Sequence, residues 1–261
     1  MLTLQRTNDL ADRTQGRLAS GLKVNSALDD AAAFFAARAL TFRAEDLGRL
    51  KDNIDQSIST LTAAVNGIEA ITELIEQAQG IAITAKATGD TNERSSLAIQ
   101  FDALLAQIDN LANDASYNGQ NLIQGTPDNL VIDFNEDSTS QLTVSGIDST
   151  TGTGGINVAG AVGNFAAETN IDAALTASRT ALATLRTTAA TLGSNNSVLQ
   201  TRLNFTEDLV NTLDEGAGKL TLADLNEESA NLLSLQTRQQ LGLNSLSLAA
   251  QSERAILNLF G

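Results

Sequence analysis

The stretch DLGRLKDNIDQSISTLTAAVNGIEAITELIEQ, residues 46–77, decides the fold. Its apolar residues Leu47, Leu50, Ile54, Ile58, Leu61, Val65, Ile68, Ile71 and Ile75 recur about every 3.5 residues, the period that keeps one seam in place along a supercoiled helix. A second stripe lies far down the chain, at Ile171, Leu175, Leu182, Leu185, Leu192, Leu199, Leu203, Val210 and Leu213. Ser178, Ala189, Asn196 and Thr206 are its weaker members, completing a strict alternation of three- and four-residue steps. Two long helices with one apolar side each must bury that side, and the natural partner of each is the other. These positions are the expected rod packing.

The composition favours a rod over a compact globule. Only 3% of the 261 residues are aromatic, and Trp, His and Cys are absent, so burial must come from Leu, Ile, Val and Ala. Proline occurs once, at Pro127, which leaves both flanks without the strongest helix breaker. A formal net charge of −15 argues against nucleic acid and against an anionic membrane surface as partners. No apolar run approaches the roughly 20 residues of a membrane span. The residues after Met1 also lack the charged, apolar and small-residue pattern of a cleavable secretory signal.

Outward from the stripes, the pattern predicts a helix over residues 1–22, interrupted by Gly21, Asn25 and Ser26, and a long helix over 29–86 opened by Asp29 and Asp30. Thr88-Gly89-Asp90 reads as a turn and 92–115 as a third helix. Residues 130–134 and 141–144 read as two short strands around a polar loop, hence a β-hairpin, followed by a Gly- and Thr-rich loop. Helical periodicity returns at Ile171. Gly216-Ala217-Gly218 is expected to break it, and 224–228 to open a last helix reaching Phe260. The division is therefore 1–28, 29–121, 122–170, 171–215 and 216–261. The fold class is mainly α, with long antiparallel coiled-coil helices from both termini forming a rod and a small β-hairpin insertion in the middle.

Chemistry-bearing constellations are scarce. A zinc-type site would want His or Cys, and neither exists. Asp133, Asn135, Asp137 and Thr139 alternate oxygens as an ion loop does, but the glycine and closing Glu of a calcium loop are missing, so a solvated hairpin turn is expected. Without His, no Ser or Thr has its commonest activating base. Gly152–Gly155 lacks the lysine of a phosphate-binding loop. No enzymatic function and no cofactor are expected.

The end segments carry more apolar surface than this chain can cover. Leu232, Leu235, Leu243, Leu246, Ile256, Leu257, Leu259 and Phe260, with Leu233, Leu241 and Leu248, spread over more than one face of the last helix. The short first helix, with Leu4, Leu10 and Leu18, is too small to cover them all. The remainder should meet neighbouring subunits, which points to a polymer. Gly21, Gly216 and Gly218 would be the joints between end and rod segments, since glycine accepts backbone angles closed to other residues.

RLASGLKVNSALDDAAA, residues 17–33, resembles the N-terminal signature of bacterial flagellins. Three further stretches are similar to that family: Tyr117-Asn118-Gly119-Gln120-Asn121-Leu122-Ile123, Leu222-Ala223-Asp224-Leu225-Asn226-Glu227-Glu228, and LQTRQQLG at 235–242 with the SLSLAAQSERAILNLFG tail. They recur across both flanks in the family's order. The resemblance implies a secreted, extracellular filament subunit for swimming motility. Its residues 1–22 and 227–261 would form an inner layer, 29–121 with 171–213 the rod, and 122–170 a small outward-projecting surface domain.

The same resemblance implies self-assembly as a helical homopolymer and partnership with an export chaperone, cap and junction proteins. A hook–filament junction protein of the same architecture and a flagellin-like adhesin remain as alternatives. Flagellins usually carry a further short segment before the part matching Met1-Leu2-Thr3-Leu4, so the N-terminus reads as shorter than usual for the family. The patch read by a toll-like receptor would fall near Glu76-Gln77-Ala78-Gln79-Gly80, which has no Arg, so weak or no recognition by that receptor is implied.

Overall fold

The computed structural model describes residues 2–260, with side chains described for 2–254. The fold is mainly α. Five helices are found among the described residues: α1 (Leu2–Ser20), α2 (Ala31–Ala87), α3 (Thr91–Asp114), α4 (Glu168–Thr221) and α5 (Leu225–Phe260). A single hairpin, β1 (Leu130–Asp133) and β2 (Gln141–Val144), interrupts them. The chain divides into two compact units. A terminal unit joins Met1–Glu45 to Val210–Gly261, and a central unit is Asp46–Leu209. The division lies inside α2 and α4, and α4 runs past residue 215 to Thr221.

The central unit is held by the stripes. Ile54, Leu61, Ile68, Ile71 and Ile75 of α2 are buried with Leu182, Leu185, Leu192 and Leu199 of α4 in one core, to which α3 adds Phe101 and Ile108. Leu47 and Ile58 are buried as well, while Leu50 is half-buried, and Val65 and Leu203 are partly buried against that core. Val210 is half-buried and Leu213 buried, both in the terminal unit. The turn from α2 to α3 is fixed by Asp90, whose carboxylate accepts from the Asn92 amide at 2.8 Å as an N-cap. Arg94 Nε then donates to the carbonyls of Ala85 (3.1 Å) and Thr88 (2.8 Å), satisfying the end of α2.

Past α3, Asn118 (φ 50°) and Gly119 (φ 82°) make the tight turn that the Asn-Gly pair signals, with Tyr117 and Gln120 exchanging backbone hydrogen bonds across it. Asn121 follows as a clasp. Its Nδ2 donates to the carbonyls of Ala112 and Asn113, and its Oδ1 accepts from the amides of Ile123 and Gln124. One buried side chain thus closes α3 and starts the insertion.

The insertion does not form an outer domain of its own. Leu122, Ile123, Leu130, Ile132, Val144, Ile156 and Val158 are buried in the same core as the helices. The Phe134 ring lies under the Arg202 guanidinium, 4.8 Å from its centroid. The small surface domain expected for 122–170 therefore has no core of its own. A lone two-stranded hairpin is marginal in water, so its apolar side borrows the helical core. The polar loop is closed by its own groups: Asn135 bonds Thr139 Oγ1 and accepts from the Ser140 amide.

The break expected at Gly216-Ala217-Gly218 is corrected. α4 continues through it to Thr221. A glycine inside a helix costs only about 1 kcal/mol relative to alanine, and here the space is used. A Cβ on Gly216 would stand 3.4 Å from Leu40 Cδ1, and Ala217 is buried.

Candidate assembly interface

The terminal unit is built on the 17–33 signature, in which Arg17, Ser20, Lys23, Ser26, Asp29 and Asp30 each make a side-chain hydrogen bond. The Gly21 amide bonds the Arg17 carbonyl at 2.8 Å with φ +73°, the left-handed ending that stops α1. Leu22 pairs antiparallel with Leu222, flanked by Lys23 N to Thr221 O (2.8 Å) and Ala223 N to Gly21 O (2.9 Å). Lys23 Nζ also donates to the Lys219 carbonyl at 2.9 Å, placing a cation at the C-terminal end of α4.

The two adjacent aspartates do different work. Asp29 Oδ2 accepts from the amides of Asn25 and Ser26 and from Ser26 Oγ. These bonds, those from Ser26 first, hold its carboxyl below the ordinary range. Asp30 Oδ1 accepts from the Ala33 amide at 3.0 Å and caps α2. The turn is therefore rigidly specified, yet it leaves Leu28 98% exposed.

α1 and α5 run antiparallel. Arg17 Nη1 and Glu228 Oε1 meet at 2.9 Å at one end. Towards the other, Gly242 makes room for Leu4, whose Cδ1 would lie 2.4 Å from a Cβ there. The contact is thin. Thr14 is the buried residue of α1. Leu4, Leu18, Leu232 and Leu235 are half-buried, whereas Leu10, Leu243 and Leu246 are exposed. Leu233 and Leu248, on other sides of α5, are each 67% exposed. The side chains of Ile256, Leu257, Leu259 and Phe260 lie outside the described residues. Leucines spread around a helix and left in water form a surface that another chain can cover.

Sequence reasoning placed these leucines on α1 and α5 but missed three exposed residues nearer the joint: Leu28, Phe35 and Phe42. The signal was present, as an aliphatic residue inside a polar turn and phenylalanines off the stripe. Of the expected joints, Gly21 follows the last residue of α1 with a positive φ, while Gly216 and Gly218 lie within α4.

Comparison with known proteins bears on the whole chain. Residues 1–128 match the family model described as the bacterial flagellin N-terminal helical region, and residues 175–260 match that of the C-terminal helical region. Flagellin FljM of Caulobacter vibrioides is 34% identical over 98% of this chain and 93% of its own. A flagellin of Brucella melitensis is 30% identical over 99% and 94%. Among solved structures, a Bacillus cereus flagellin superposes with a TM-score of 0.51 at 21% identity, covering 59% of this chain and 88% of that one.

Proposed function

The chain belongs to the bacterial flagellin family and is a structural subunit of the flagellar filament, and on that premise we propose that α1 and α5 are the segments that order when subunits join. The observation that carries this is the set of leucines on these two helices that the chain leaves in water. Fixing one residue's backbone costs about 1–2 kcal/mol, and apolar burial returns about 25 cal/mol per Å². The thin α1–α5 contact returns little of that alone, and neighbouring subunits supply the rest. Deleting 226–261 should leave a soluble helical monomer that forms no filaments by negative-stain electron microscopy. Filaments from the truncated chain would refute the assignment.

Several finer points follow from this reading. The rod stripes hold the subunit together, and the change of direction between rod and end segments belongs to 20–24 and 221–224. In the cell an export chaperone covers α5 before assembly, and cap and junction proteins contact the polymer's ends. Export delivers the subunit to an extracellular filament. Among the described residues no helix is long and apolar enough to cross a membrane. The protein has no catalytic role. Its region 76–80, without arginine, engages the flagellin-sensing toll-like receptor weakly or not at all; a strong response of receptor reporter cells to purified protein would overturn that.

A further inference from the structure

The terminal unit carries two features that the chain leaves unmatched. One is a groove of about 490 Å³ whose lining includes Val24, Phe34, Ala37, Phe42 and Ala217, with the carboxylates of Glu45 and Asp214 beside them. The Arg38 guanidinium stacks within it, 5.2 Å from the Phe42 ring centroid. The other is Leu28, 98% exposed at the head of a turn that Asp29 pins through three hydrogen bonds.

An aliphatic side chain held so far into water touches nothing of its own subunit, including its own groove. A turn built from Asn, Ser and Asp needs no leucine for its geometry.

We propose that Leu28 of one copy seats in the Phe34–Ala37–Phe42 groove of the next copy in the filament, an inference that rests on the polymerisation described above. Projection and groove are different surfaces of one molecule, so the contact is head-to-tail. Each copy gives one leucine and receives one, and the contact propagates without closing. Both features belong to the unit that contains α1 and α5, the segments proposed above to order on assembly.

The absence of cysteine allows a clean test. Filaments are grown from an equal mixture of two full-length single-cysteine proteins, Leu28→Cys and Thr41→Cys, Thr41 being a groove-lining residue. Mild oxidation should give a disulfide heterodimer that the Thr41→Cys protein alone does not form. In parallel, Leu28→Asp should raise the critical concentration for polymerisation about tenfold or more, while Leu28→Met stays near wild type. Circular dichroism of the Leu28→Asp monomer should be unchanged, because Leu28 contacts nothing in the free subunit.

Normal filaments from Leu28→Asp with no heterodimer in the mixture would overturn the Leu28 contact and leave the filament assignment standing. A Leu28→Cys/Thr41→Cys double variant that cross-links only into closed dimers would overturn the head-to-tail arrangement. Wild-type protein that never polymerises would remove both readings.

Discussion

Arg17 Nη1 donates to Glu228 Oε1 at 2.9 Å across 211 positions of sequence, joining the last turn of α1 to the first turn of α5. Glu228 is buried, so its carboxylate depends on that partner. Replacing Glu228 with alanine should cost about 1–2 kcal/mol locally. Hydrogen exchange at the start of α5 should then quicken about tenfold, while melting of the central unit stays put. An unchanged exchange rate would mean that the pair contributes nothing to holding α5.

Asn121 uses both ends of its amide, two bonds donated and two accepted, at 3% exposure. Leucine of similar size would strand two carbonyls and two amides. Asn121→Leu is expected to lower the stability of the central unit by about 2–4 kcal/mol, read as a drop in thermal midpoint. Asn121→Asp should be no milder, since it exchanges two donors for acceptors facing carbonyl oxygens.

Two glycines of α2 should respond to alanine with opposite signs. A Cβ at Gly48 meets nothing within 4 Å, so Gly48→Ala should stabilise by up to about 1 kcal/mol. A Cβ at Gly67 would lie 2.7 Å from Ile123 Cδ1 and 2.8 Å from Ala115 Cβ, so Gly67→Ala should destabilise by about 1–3 kcal/mol. Denaturant titration of the two variants side by side checks the contrast.

The turn at 25–29 and the far end of α2 respond to opposite ends of the pH scale. The Asp29 carboxyl lies below its ordinary 3.8 through bonds from Ser26 and Asn25. Its support is complete above pH 3.8 and is lost as pH falls through the lower folded value. Lys86, bonded to Asp172, lies above its ordinary 10.5, so its support is complete below 10.5 and is lost as pH rises through the higher folded value. Between those limits neither contribution should change with pH. Protection of the Ser26 amide, measured against its intrinsic exchange rate at each pH, should fall only in acid, and protection at the end of α2 only in strong base.

The helices were legible because their apolar residues keep one period over long runs, from Leu47 to Ile75 and from Ile171 to Leu213. Residues 130–133 and 141–144 were legible as strands, two short runs around a polar loop. The destination of the hairpin was not, because a short apolar run says that it is buried without saying on what. Gly216 and Gly218 misled for a related reason. Whether glycine ends a helix depends on what packs against it, and Leu40 is a neighbour that the local sequence cannot name. The interface was half legible. Leucines on α1 and α5 followed from counting apolar residues, but the exposure of Leu28 emerged only once Asp29 was seen to fix the turn.

The hairpin's attachment to the helical core limits how this surface can diversify or be engineered. Leu130, Ile132 and Val144 are committed inward, while Val131 and Thr143 face water. Only alternate positions are open to change by mutation, and the insertion is not an interchangeable cassette. Asn135 and Ser140 close the loop between the strands, so a foreign epitope displayed along a filament belongs at 137–138, inside that closure, where it leaves the strand register intact.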